Sequence, residues 1–216
     1  MSYTVDELKE DIKSLSERDF YLKYIVRSEN WYFENVLGYS KDKLTTISDD
    51  FRMTISEELG ISFNSIMIVG SSKIGYSLSP RKLFSPFSVD GATRAASDID
   101  VAIISSKIFN EFWSLFRKNY SSKYYVAYYG TDVGIRHKSG IHCEVFRGYI
   151  NEKSISQVDE CRKAWNILCG ESKKKLYDKL FIKNEVTYRI YRSWEDFESY
   201  NLINIAEIKA KISTSY

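Results

Sequence analysis

Two aspartates one residue apart, Asp98 and Asp100 in the run Ser97-Asp98-Ile99-Asp100, carry the most specific chemistry in the chain. The residues Ile99 to Ile104 read as a buried strand. Side chains alternate along a strand, so both carboxylates face one way while Ile99 and Val101 face the core. Two adjacent carboxylates repel unless a cation sits between them, and a hard divalent ion such as Mg2+ binds through one or two carboxylates plus substrate phosphates. An earlier apolar, β-branched run, Ser65 to Val69, ends in Gly70-Ser71-Ser72-Lys73. Glycine at a strand end lets an anion approach successive backbone N–H groups. Ser71 and Ser72 offer hydroxyl donors there and Lys73 a positive charge, a set suited to a triphosphate. The third candidate carboxylate is Glu144, in His142-Cys143-Glu144-Val145-Phe146, provided its strand lies beside that of the aspartates. Asp132, on the strand before it, is the competing choice. Three converging carboxylates hold two metal ions, one activating an attacking hydroxyl and one stabilising a pyrophosphate leaving group.

These residues must be positioned by a sheet backed with helices. Thr4 to Glu7 is a capping-box pattern, and Val5, Leu8, Ile12 and Leu15 follow at helical spacing. A second periodic stretch runs from Asp19 to Val36 and closes at Gly38, and a third ends at Leu59 with Gly60 beyond it. Residues 1–60 therefore form an N-terminal helical segment. Residues 61–150 form the core that bears the candidate site. In it the Phe109, Phe112, Trp113 and Phe116 face marks a helix after Ile104, and a long loop from Ser77 to Ala96 contains both prolines, Pro80 and Pro86. Tyr124–Tyr129, Asp132–Arg136 and Ile141–Phe146 read as further strands, with Lys138-Ser139-Gly140 as the turn of a hairpin. Residues 151–216 complete the same compact unit with a helix from Val158 to Leu168, a strand from Val186 to Tyr191 and a final helix from Ser193. The fold class expected is α+β, a small mixed sheet with helices packed on it.

With 44% apolar and 28% charged residues, the 216-residue chain fits a folded globular protein. Its 31 basic and 29 acidic residues nearly balance, leaving a net charge of +2 and no general attraction to polyanions. Any polyanion site must be local, and a template-dependent polymerase gripping duplex DNA is disfavoured. Three cysteines without a CxxC pair point to a reduced, cytoplasmic protein, and no apolar run has the length of a membrane span. Arg81, Lys82 and Arg94 read as solvated loop charges with reach to a polyphosphate, and Arg189 and Arg192 as exposed strand arginines, with contact to phosphates or an acceptor as the alternative. His137 and His142 have no partner at metal-ligand spacing.

A Gly-Ser strand end followed by Asp-x-Asp and then a later acidic residue resembles the DNA polymerase beta-like nucleotidyltransferase superfamily. The resemblance covers Ser65 to Phe146, with a longer interval between Ser71 and Asp98 than in minimal members. It implies a mixed-sheet palm and transfer of a nucleoside monophosphate from a nucleoside triphosphate, ATP among them, with release of pyrophosphate. Gly70 and Ser71 would then hold the triphosphate, and Asp98, Asp100 and Glu144 two Mg2+ or Mn2+ ions. The acceptor is left open among a protein, an RNA or DNA end, a nucleotide and a small molecule. The chain's size suggests a macromolecule-modifying enzyme of toxin–antitoxin or anti-phage type, with a cognate toxin or effector as partner. A template-independent oligonucleotide or second-messenger synthase, an antibiotic-type transferase and a non-catalytic nucleotide-binding module are the alternatives.

Overall fold

A computed structural model describes residues 3–27, 29–89, 95–119 and 140–214. The first helix, α1 (Val5–Ser14), starts where the Thr4 hydroxyl accepts the Glu7 N–H at 3.1 Å, and it buries Leu8 and Ile12. Next comes α2 (Glu17–Tyr21), which widens into a π-helical turn over Leu22–Val26. A short α3 (Trp31–Asn35) leads to α4 (Leu44–Leu59), closed by Gly60 in the left-handed region. The chain then enters β1 (Ile66–Val69), a single turn α5 (Ser71–Ile74), β2 (Ile99–Ile104) and α6 (Ser106–Lys118). After residue 140 follow α7 (Ile141–Phe146), β3 (Tyr149–Asn151), α8 (Glu152–Ser156), α9 (Asp159–Cys169), α10 (Ser172–Leu180), β4 (Val186–Tyr191) and α11 (Trp194–Thr214).

The four strands form one mixed sheet in the order β1-β2-β4-β3. Strand β2 is antiparallel to β1 and parallel to β4, and β3 is antiparallel to β4. Each strand side builds its own core. Ile99, Val101 and Ile103 of β2 and Val186, Tyr188 and Ile190 of β4 pack with Phe51 and Ile55 of α4, Phe112 and Phe116 of α6 and Trp165 of α9. On the opposite face Ala102, Ile104 and Tyr191 meet Leu8, Ile12, Phe20, Tyr24 and Phe197 from α1, α2 with its π-helical turn, and α11. The outer edge of β1 is covered by Arg52 of α4, whose Nε donates to the Ile66 carbonyl at 2.9 Å, which blunts an edge that would otherwise template strand addition. Among the described residues no helix is long and apolar enough to cross a membrane.

The α+β class with a small mixed sheet is present, but one expected strand is not. Residues Ile141–Phe146 are helical. Ile141 and Val145, four apart, pack toward the core that faces α4 and α6, while Phe146 is 88% exposed. The apparent alternation of Cys143 and Val145 therefore hides a helical face. The segments Tyr124–Tyr129 and Asp132–Arg136, the turn at Lys138 and Ser139, Arg94 and His137 lie outside the described residues. Phe116→Ala, which empties a fully buried position, is expected to destabilise the fold by about 3–5 kcal/mol. Phe146→Ala should change stability by less than about 0.5 kcal/mol. Urea denaturation of both variants checks the pair.

Candidate active site

The sheet register assembles the site. Asp100 lies opposite Val69 of β1 on one side and Thr187 of β4 on the other. Gly70, which follows Val69, thus leaves β1 directly against the Asp100 carboxylate. A Cβ on Gly70 would stand 2.4 Å from Asp100 Oδ2, and its φ of 72° is one that residues with side chains rarely adopt. The two motifs separated in sequence by the Ser77–Ala96 interval are therefore in contact.

Asp98 projects to the same side as Asp100. Hydrogen bonds fix the chain on either side of it: Ser97 N donates to Ser88 O at 2.8 Å and Ile99 N to Glu185 O at 2.7 Å. The Ser97 carbonyl accepts from Asn184 Nδ2 at 2.9 Å, and the Tyr32 hydroxyl donates to Asn184 Oδ1 at 3.0 Å. Between the carboxylates stands the Thr187 hydroxyl, 3.3 Å from Asp98 Oδ2 and 3.4 Å from Asp100 Oδ1. A hydroxyl has one hydrogen to donate. It serves one carboxylate at a time, and the repulsion between the two is left largely uncompensated. Burial, and then the charge of Asp98, push the Asp100 carboxyl up to about 6, against the opposing pull of Arg189, Lys82 and the Thr187 hydroxyl.

The start of the long loop packs on this face of the sheet. Its first part is a closed turn, with Ser77 N donating to Ser85 O at 2.9 Å and Phe84 N to Ser77 O at 2.7 Å. Leu83 and Phe84 pack into the same layer as Ala102 and Ile104. Lys82, read from sequence as a solvated loop charge, is exposed but belongs to the surroundings of the acid pair.

Three of the sequence-derived candidates serve other contacts. The Ser72 hydroxyl is fully buried and donates to the Val69 carbonyl at 3.1 Å. The Lys73 ammonium donates to the Ile25 carbonyl at 2.6 Å and the Val26 carbonyl at 3.4 Å, tying α5 to the π-helical turn. Burial, with Arg52 nearby, lowers its pKa to about 8. Both residues hold the glycine turn in place from behind, and Ser71, also buried, stands next to Gly70 at the start of α5. Glu144 sits on α7 and is almost enclosed. Its carboxylate accepts from Asn151 N at 2.9 Å, Asn151 Nδ2 at 3.0 Å and Ser154 Oγ at 2.9 Å. Among the described residues no three His, Cys, Asp or Glu side chains gather as a metal-holding group, and Asp132 lies outside those residues.

What Glu144 does is orient a neighbour. Because the Asn151 amide nitrogen donates to Glu144, its oxygen is turned to accept from Arg189 Nε at 3.0 Å. Arg189 Nη1 donates to the Tyr200 hydroxyl at 2.6 Å, and its guanidinium lies 4.7 Å from the centre of the Tyr200 ring. Burial works against the Arg189 charge, but Tyr191, Tyr200 and Asp100 more than offset it and raise the pKa. Arg189 is therefore a partly buried member of the site layer, not an exposed strand arginine. Arg192 does remain exposed, paired in two-pronged fashion with Asp196 at 2.8 Å. Thr187, Asn151 and Tyr200 carry no individual signal in the sequence, whereas Arg189 stands out there as a strand arginine. Thr187 shares with it only a place on the polar side of the alternating run Val186 to Tyr191.

Comparison of the chain with family models, with curated proteins and with solved structures finds no match.

The pH dependence of stability reports on the acid pair. The Asp100 carboxyl titrates near 3.8 when unfolded and about 6 when folded, so between these values the folded chain binds the extra proton. Its contribution to stability is complete below pH 4 and is lost as pH rises through 6. In metal-free buffer Asp100→Asn should be more stable than the parent by about 2–3 kcal/mol at pH 7.5 and by less than about 1 kcal/mol at pH 4. Equal urea midpoints at pH 7.5 would rule out a repelling carboxylate pair.

Proposed function

We propose that the protein is a metal-dependent nucleotidyltransferase, moving a nucleoside monophosphate from a nucleoside triphosphate to a hydroxyl acceptor with release of pyrophosphate. One observation carries this reading: the Gly70 turn abuts the Asp100 carboxylate, beside a second carboxylate that one threonine hydroxyl cannot neutralise. The donor set suits Mg2+ or Mn2+, since all its atoms are hard oxygens and its charge calls for a cation. When bound, such ions would activate the acceptor hydroxyl and stabilise charge on the departing pyrophosphate. The resemblance to the polymerase beta-like superfamily adds the order of motifs, and the four-stranded sheet would be the palm.

The remaining roles belong to the chain itself. Gly70, lacking a side chain, lets the turn close against the Asp100 carboxylate, so that the backbone of the turn, with Ser71 at its head, would meet the phosphates beside the ion-binding carboxylates. Thr187 and the Ser97–Asn184–Tyr32 hydrogen bonds hold Asp98 and Asp100 in register. Lys82 supplies positive charge from the loop.

Incubation of the purified protein with each labelled nucleoside triphosphate and Mg2+ or Mn2+ tests the proposal. A labelled product is expected, as a ladder, a modified macromolecule or a small molecule. Asp98→Asn, Asp100→Asn and Gly70→Ala should each reduce it by about a hundredfold or more, because losing even a supporting residue of a metal site costs tenfold to a hundredfold. Full activity in both aspartate variants would sink the assignment. A second reading, a nucleotide-binding module without transfer, is favoured by the gathering of only two carboxylates among the described residues. Metal-dependent triphosphate binding in calorimetry, with no product from any nucleotide, would select it.

A further inference from the structure

Beyond the acid pair, on the side of the sheet away from the Gly70 turn, the same face carries two guanidiniums and two aromatic rings. Across the sheet the order on this face is Gly70 after β1, Asp98 and Asp100 at β2, Thr187 and Arg189 on β4, and Tyr149 and Asn151 on β3. Arg189 follows Thr187 by two residues on one strand, a separation of roughly 7 Å. Its guanidinium lies 4.7 Å from the Tyr200 ring centre and 5.5 Å from that of Tyr149. Arg147 approaches the same two rings from the loop before β3, at 5.7 Å and 5.9 Å. Tyr149 and Tyr200 meet edge to face, 4.9 Å between centres. All four side chains are partly exposed.

Asp100 lies near enough to act on Arg189, but not as an ion pair. Among the described residues neither arginine forms an ion pair, whereas Arg52, Arg162 and Arg192 all do. Arg189 is instead anchored by neutral groups, Asn151 Oδ1 and the Tyr200 hydroxyl. Neutral anchors fix a guanidinium's direction without cancelling its charge. A buried carboxylate, Glu144, is used one step further out to set the Asn151 amide. Two guanidiniums without an ion pair among the described residues, beside tyrosine rings, suit a phosphate attached to a flat ring: arginine binds phosphate oxygens in two-pronged fashion, and bases stack on aromatic side chains.

We propose that Arg147, Arg189, Tyr149 and Tyr200 form an acceptor subsite for a nucleotide unit, free or at the end of an oligonucleotide. This rests on the transferase reading only for the word acceptor: the triphosphate is assigned to the Gly70 side, so a phosphate group bound beyond the carboxylates belongs to the other substrate. A polycationic acceptor of the antibiotic type is disfavoured, since it would meet the two guanidiniums head on.

Binding of the four nucleoside 5′-monophosphates, a 5′-phosphorylated dinucleotide and the unphosphorylated nucleosides to the full chain tests the subsite. The measurement is made by calorimetry in excess chelator, so that no metal site contributes. The phosphorylated probes should bind and the nucleosides should bind at least about tenfold more weakly, the scale of one charged hydrogen bond. Arg147→Gln should weaken the phosphorylated probes by about tenfold to a hundredfold, and Arg147→Lys by less. Asp100→Asn should not weaken them. Circular dichroism and melting of Arg147→Gln should match the parent, because the side chain is partly exposed and makes no buried hydrogen bond to a described residue. Tighter binding of the dinucleotide than of any monophosphate identifies a strand end as the acceptor, and the reverse a free nucleotide. Equal binding by nucleosides and monophosphates, or unchanged binding in Arg147→Gln, overturns the subsite even if transfer is observed. Phosphate-dependent binding without any transfer keeps the subsite and removes the transferase reading.

Discussion

The register of β2 between its two neighbours is the constraint on which the rest depends. β1 runs against β2 so that Val69 faces Asp100, and β4 runs alongside so that Thr187 faces the same residue. A slip of one residue on either side would turn the carboxylates or their partners into the apolar layer. The slip is prevented by side chains on the far face, where Ile99, Val101 and Ile103 are buried with Val186, Tyr188 and Ile190 among the helices α4, α6 and α9. The hydrophobic layer that has no role in chemistry is thus what holds the carboxylates against the glycine turn.

Charge on the site face is arranged in sequence across the strands. The acids sit over β2, near the turn that leaves β1, and the guanidiniums sit over β4 and before β3. Arg189 is near enough to lower the Asp100 pKa and Asp100 near enough to raise that of Arg189, yet they are not a closed ion pair. The acid pair therefore keeps its repulsion and the arginines keep their charge. Both conditions are costly in a partly buried layer. Glu144 fits the same logic from the outside. Three hydrogen bonds hold it nearly enclosed, and it passes its orientation through Asn151 to Arg189.

Much of this was legible in the chain, where the signal is local. The Thr4 cap, the left-handed Gly60 and the helical faces of α1, α4 and α6 follow from spacing and turn chemistry, and the structure has them. The strands β1, β2 and β4 stood out as short apolar runs. The helix Ile141–Phe146 has the pattern of a strand, because six residues are too few to separate a period of two from one of 3.6. With it went the expectation that Glu144 joins the aspartates.

The sequence by itself determined that Asp98 and Asp100 share a face, because alternation along a strand is a property of the backbone, and that a glycine turn follows an earlier strand. Whether those two features meet depended on which strand pairs with which, and in what register. That is settled by burial of side chains far apart in the chain. The same holds for Thr187, Asn151 and Tyr200, ordinary residues in sequence that gain a role only from the strand or helix packed beside them. It also holds for Ser72, Lys73 and Glu144, whose polar groups were claimed by backbone and side-chain partners that no local pattern reveals.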